Sequence, residues 1–128
     1  DVPEVQEIVI ADAGNYPGRQ PLGTINPPAS GANNLTRIKG IGPQNERKLN
    51  ALGIWTFGQI AAWGQEEVEW VGSYLAFPGR IEREGWVSQA RVLAEGGDTE
   101  FSKRVDGGKV SSSRAGRGAA KNNNGGKA

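Results

Sequence analysis

From Asn34 to Gly97 the apolar side chains recur three and four residues apart, and no segment alternates with period two over a useful length. That is the spacing of short helices, each burying one face. Leu35 and Ile38 open the series behind Asn33 or Asn34, either of which can cap a first helix. A second helix from Gln44 to Leu52 places Leu49 and Leu52 together, and Gly53 is its stop. Thr56-Phe57-Gly58-Gln59 is a capping-box pattern, followed by Phe57, Ile60, Ala61 and Trp63 and closed by Gly64. A fourth helix, Gln65 to Leu75, has Val68, Val71 and Leu75 as its stripe with Trp70 and Tyr74 beside it. Glu66, Glu67 and Glu69 sit near its positive N-terminal end. A fifth, Ile81 to Glu95, buries Trp86, Ala90 and Leu93, joined by Val87 and Ala94, and ends at Gly96-Gly97. Asp98 then caps one further short turn carrying Phe101 and Val105. The pattern predicts an all-α compact bundle of about five short helices. Its expected core is Leu35, Ile38, Leu49, Leu52, Phe57, Ile60, Val68, Val71, Leu75, Trp86, Ala90 and Leu93.

The flanks read differently. Five of the seven prolines lie within the first 28 residues, so residues 1–33 are expected to form an extended arm with few contacts of its own. Val5 to Ile10 is strand-like in composition, but a lone strand has nothing to pair with. Residues 107–128, rich in Gly, Ser and Asn and poor in bulky apolar side chains, cannot bury enough surface to offset ordering entropy and are expected to be disordered. The helical domain is therefore assigned to residues 34–106. Seven of the nine aromatics, including all four tryptophans, fall between Trp55 and Trp86, and they are expected to be core.

Charge follows the same boundaries. The net charge of +1 divides into −3 over residues 1–33, zero over 34–95 and +4 over 96–128. A neutral centre lies between an acidic arm and a basic end.

Composition removes most catalytic chemistry. The 128 residues include no cysteine and no histidine, so disulfides, thiolate metal or iron–sulfur ligation and imidazole acid–base steps are excluded. A metal would have to rest on carboxylates and carbonyls, and neither a catalytic residue, a metal site nor a cofactor is assigned. No apolar run approaches the roughly 18–20 residues of a membrane span. The chain opens at Asp1 rather than methionine, which is expected of a processed protein or an excerpt from a longer one.

The most specific local signal is Leu35-Thr36-Arg37-Ile38-Lys39-Gly40-Ile41-Gly42-Pro43-Gln44-Asn45-Glu46-Arg47-Lys48-Leu49. It resembles the helix-hairpin-helix motif, in which an apolar pair precedes a Gly-Ile-Gly-Pro hairpin and a second helix. In that family the hairpin amides and the second helix's start hold a nucleic-acid phosphate, as closely set N–H groups can. The resemblance marks Gly40, Ile41, Gly42 and Gln44 as the hairpin backbone site. Arg37, Lys39, Arg47 and Lys48 are the candidate phosphate or partner contacts. Two positions depart from the DNA-binding pattern: Gln44 stands where Lys is common, and Glu46 where a small residue is usual. Two or three phosphate contacts would give a salt slope of only about −2 to −3. The motif thus favours a structural hairpin reused as a docking surface over a nucleic-acid site.

A longer resemblance covers Leu35 to Glu95. Its marks are Ile38-Lys39-Gly40-Ile41-Gly42-Pro43, Leu52-Gly53-Ile54-Trp55-Thr56-Phe57-Gly58-Gln59-Ile60-Ala61 and Gly79-Arg80-Ile81-Glu82-Arg83-Glu84-Gly85-Trp86-Val87-Ser88-Gln89-Ala90. This run resembles the module that follows the thioredoxin-fold iron–sulfur component of alphaproteobacterial respiratory complex I (NADH-quinone oxidoreductase), and it is similar to the end of some L21 ribosomal proteins. The resemblance implies a non-catalytic module that docks onto complex I subunits, peripheral to a membrane on the cytoplasmic or matrix side. It brings no redox centre, since the cysteine ligands of the iron–sulfur component have no counterpart here. The alternative is a weak, sequence-nonspecific nucleic-acid binder or a ribosomal extension. Arg80, beside Pro78-Gly79, is the expected interface anchor, because arginine is favoured at interfaces.

Overall fold

The computed structural model describes residues 8–10 and 13–107. The expectations for residues 1–7 and for the basic segment 108–128 lie outside the described residues. Six helices are present: α1 (Pro43–Ala51), α2 (Phe57–Ala61), α3 (Gln65–Tyr74), α4 (Arg80–Glu84), α5 (Trp86–Ala94) and α6 (Glu100–Asp106). Short 3-10 turns occupy Ala13–Asn15 and Leu35–Arg37, and no β-strand occurs among the described residues.

The bundle forms because each short helix turns one apolar stripe inward. The largest interhelical contact is between α2 and α5, with α3 and α5 both touching α4 and α6 lying against the Leu35–Arg37 turn. All twelve side chains assigned to the core from their spacing are buried, Trp86 and Leu49 completely. Ile41, Ile54, Trp63, Trp70 and Ile81 join them. The capping box at α2 has both of its bonds: Gln59 N–H donates to Thr56 Oγ1 at 3.2 Å, and Thr56 N–H donates to Gln59 Oε1 at 3.1 Å.

Three expected elements differ. The first helix is only the 3-10 turn Leu35–Arg37, capped by Asn34, whose side chain accepts from Thr36 N–H. Lys39-Gly40 follows too soon for a second turn of helix. The long fifth helix is two, α4 and α5, divided at Gly85, whose φ of 67° and ψ of 42° are left-handed. The apolar periodicity runs on through the break, so only the glycine marked it. The cap of α6 is Thr99, not Asp98. Thr99 Oγ1 accepts from Ser102 N–H and Ser102 Oγ accepts from Thr99 N–H, both at 2.9 Å. Asp98 is instead drawn into an ion pair with Arg37.

The arm is the larger correction. Its described residues form no α-helix, only the 3-10 turn Ala13–Asn15, but they lie against the domain, with Ile10, Ala13 and Tyr16 packed on the core. Trp70 Nε1 donates to Ala13 O at 3.0 Å. The Tyr16 ring meets Trp70 edge-on at 5.3 Å and Tyr74 at 6.0 Å, while Trp70 and Tyr74 stack at 5.3 Å. Burial pushes the Tyr74 hydroxyl above its usual 10.0, and Tyr16 beside it adds to the rise. Arg19 N–H donates to Glu66 O, and its guanidinium pairs with Glu66 and Glu67. Farther along, Thr24 N–H donates to Gly53 O, Trp55 Nε1 donates to Thr24 O, and Asn33 N–H donates to Trp55 O. The expectation of few contacts therefore fails for this stretch. The composition showed a chain that cannot form helix, but it could not show that exposed indole edges and free carbonyls on the bundle would hold that chain in place.

Substitutions test these features. Tyr16→Ala is expected to lower the unfolding free energy by about 1–2 kcal/mol through lost ring contacts, with a red shift of tryptophan emission. Val9→Ala, at a side chain 95% exposed, should stay within about 0.5 kcal/mol. Gly85→Ala, which forces a Cβ into the left-handed region, should cost about 1–2 kcal/mol in urea unfolding.

Candidate docking and anion site at the hairpin

The hairpin is built from its turn outward. Ile38 N–H closes the 3-10 turn on Leu35 O, and Ile41 N–H donates to Ile38 O at 3.1 Å. Gly40 between them has a φ of 106°, a left-handed value that L side chains rarely adopt. Gly42 then takes an extended conformation as the N-cap of α1, and Pro43 opens the helix without a donor to leave unpaired. Glu46, the acidic departure from the motif, reaches back across the hairpin: its Oε2 accepts from Leu35 N–H at 2.9 Å. Its carboxylate thus joins the start of the hairpin to α1.

The inner side of this turn is pressed onto the α4–α5 elbow. A Cβ on Gly40 would stand 2.0 Å from Glu84 Oε1 and 2.6 Å from Trp86 Nε1. Gln89 bridges the same two parts: its Oε1 accepts from Lys39 N–H at 2.9 Å, and its Nε2 donates to Glu84 O at 2.8 Å. The Glu84 carboxylate accepts from Arg80 Nε at 3.1 Å and from Trp86 Nε1 at 3.3 Å. An acid therefore lies against the hairpin glycine, which opposes a phosphate on that side. The outer side is open, since a Cβ on Gly42 would meet nothing within 4 Å. Ile41 is buried, and Gln44 is exposed on the first turn of α1.

The five basic candidates divide into two sets. Arg37 is held internally: one Nη2 lies 2.9 Å from both Asp98 and Asp106, and the guanidinium is 6.0 Å from the centre of the Phe57 ring. Its buried Nε has no hydrogen-bond partner. Arg80 is bound to Glu84 and lies 5.2 Å over the Phe77 ring, which itself meets Trp86 edge-on. It braces the elbow. Lys39, Arg47 and Lys48 make no ion pair among the described residues, and Lys39 and Arg47 are exposed. The residues that sequence reasoning missed are Glu84 and Gln89, which seat the hairpin, and Asp98 and Asp106, which hold Arg37. Nothing local in the sequence revealed that Gly40 would arrive beside Glu84 and Gln89.

Among the described residues no group of three or more acidic side chains could hold a metal ion, and no helix is long and apolar enough to cross a membrane. The hairpin supplies a rigid, partly basic outer surface rather than reactive groups. Its two glycines should respond differently to the same change. Gly40→Ala is expected to destabilise by about 2–4 kcal/mol, combining left-handed strain with displacement of the Glu84 carboxylate and the buried Trp86 ring. Gly42→Ala should cost about 1 kcal/mol or less, and thermal unfolding of the two variants distinguishes them.

Comparison with known proteins agrees with this geometry. Residues 35–94 match the family model described as the RS2/RL21/YNQ2 HHH domain. The chain is 49% identical over 69 residues to large ribosomal subunit protein bL21 of Roseobacter denitrificans, covering 54% of this chain and 32% of that protein. It is 49% identical over 83 residues to an uncharacterized 22.9 kDa protein in the nqo2 3' region of Paracoccus denitrificans, covering 64% of this chain and 39% of the relative. Small ribosomal subunit protein uS2 of Methylobacterium nodulans is 43% identical over 93 residues, 73% of this chain and 26% of that protein. The chain therefore spans well under half the length of each of these relatives. No solved structure matches. The part of the chain that matches the RS2/RL21/YNQ2 HHH domain, residues 35–94, is the Gly40–Gly42 hairpin with α1 and the α2–α5 bundle that receives it.

Proposed function

We propose that this chain is a non-catalytic docking module that attaches to subunits of respiratory complex I and supports the assembly or stability of that complex. The observation that carries the reading is the similarity to the Paracoccus denitrificans protein from the nqo2 3' region, a complex I locus. It extends over 83 residues, beyond the 60 that match the family model, as does the 93-residue match to uS2. The site chemistry supports attachment over catalysis. The hairpin's inner side is filled by Glu84 and Trp86, and its outer side offers exposed backbone and a few cations. On this reading the module works as a peripheral part of the complex on the cytoplasmic side of a bacterial inner membrane, or in a mitochondrial matrix.

A second reading is a ribosomal or nucleic-acid-binding extension, favoured by the relatives named bL21 and uS2. It would use the open side of Gly42 with Lys39 and Arg47 as phosphate partners.

A tagged form of the full chain, incubated with detergent-solubilised Paracoccus denitrificans membranes at physiological salt, is expected to retain complex I subunits identified by mass spectrometry. Recovery of ribosomes without complex I overturns the first reading. Sub-micromolar binding of a ribosomal RNA fragment or short duplex, steeply salt-dependent and abolished by Gly42→Glu, establishes the second.

A further inference from the structure

Apolar exposure in this protein is concentrated in the arm. Of the four large hydrophobic side chains exposed among the described residues, Val9 (95%), Ile25 (67%) and Leu22 (57%) belong to it, and Val92 (39%) lies elsewhere. A folded chain has every reason to turn such residues inward when the same segment is already bound to the domain at Ala13, Tyr16, Arg19 and Thr24. Ile25 borders a groove of about 510 Å³ whose other walls include Ile8, Trp55 and the α1 residues Arg47 and Ala51.

The charge of this groove is one-sided. Among the described residues Arg47 is the single charged residue lining it, and no described carboxylate does so. Arg19, Arg37 and Arg80 are each paired with acids, whereas Arg47 makes no ion pair among the described residues. Gln44, Arg47 and Ala51 share one exposed stripe of α1, so the stripe leads from the open side of the hairpin into the groove. Apolar walls from Ile8, Ile25, Ala51 and Trp55, with Thr24 and Asn50 among them and one guanidinium, suit a peptide bearing an apolar side chain and a carboxylate. A nucleic-acid strand asks for several cations following its backbone and faces for its bases to stack on, and this groove has one cation.

We infer that the groove between the arm and α1 is the docking surface for an acidic, apolar segment of a partner protein, with Ile25 supplying the apolar contact and Arg47 the ion pair. The inference rests on the docking reading and names the surface that performs it.

The probe is an end-blocked octapeptide alternating leucine and glutamate, titrated into the isotopically labelled full chain and followed by NMR. Shifts are expected at Ile25, Arg47, Ala51 and Trp55. Arg47→Glu should weaken binding at least about tenfold and transfer the preference to the matching leucine–lysine peptide. Ile25→Ser should weaken it several-fold, while Val92→Ser leaves it unchanged. The inference is overturned if the acidic peptide does not bind, or binds the Arg47→Glu chain equally well. It is overturned too if oligouridylate or anionic lipid vesicles, but not the peptide, give the Arg47-dependent shifts. Concentration-dependent dimerisation that buries the same residues assigns the groove to a second copy and overturns it as well. Peptide shifts confined to the other face of the domain refute this surface but leave the docking module standing, so the two failures are distinguishable.

Discussion

The domain turns on one close approach, that of the Gly40 backbone to Glu84 and Trp86. No side chain fits between them, and the left-handed φ of Gly40 is what points the turn at the elbow. From this contact the other arrangements follow. Trp86 is fully buried beneath the hairpin, Gln89 joins Lys39 to Glu84, and Arg80 holds the far side of the same carboxylate. Because Gly85 breaks the helix there, Glu84 and Trp86 can both face the glycine from the ends of two short helices. A continuous helix would turn residues two apart to different sides.

That use of the hairpin bears on its chemistry. Backbone amides at a helix start attract anions, but the Glu84 carboxylate of the same chain already lies against Gly40, on the inner side of the turn that leads into α1. Glu46 strengthens the tendency by taking the Leu35 amide. The motif has become a structural joint, and what it presents outward is a shallow surface on α1.

Much of this was legible beforehand. The stripes of Leu49 and Leu52, of Val68, Val71 and Leu75, and of Trp86, Ala90 and Leu93 could be read from spacing because a helix repeats every 3.6 residues and burial follows the repeat. The Thr56–Gln59 cap and the Gly-Ile-Gly-Pro turn could be read because their physics lies within four residues of chain. Arg37 could not. It is on the motif's basic side in the sequence, yet its partners Asp98 and Asp106 come from the far end of the domain. Arg80, singled out as an interface anchor, pairs with Glu84 and lies over the Phe77 ring while its side chain stays half exposed.

The sequence by itself determined the helical class, the core side chains, the hairpin and the absence of thiol and imidazole chemistry, because each depends on residue type or on near neighbours. Only the tertiary structure decided which cations remain available, where residues 13–33 lie, and which side of the hairpin is open. Those outcomes rest on contacts between residues as far apart as Ala13 and Trp70, Thr24 and Trp55, and Arg37 and Asp106. Such pairs have no signature in local pattern. They come together when the packed helices leave indole edges, carbonyls and charges that a proline-rich segment or a terminal helix can satisfy.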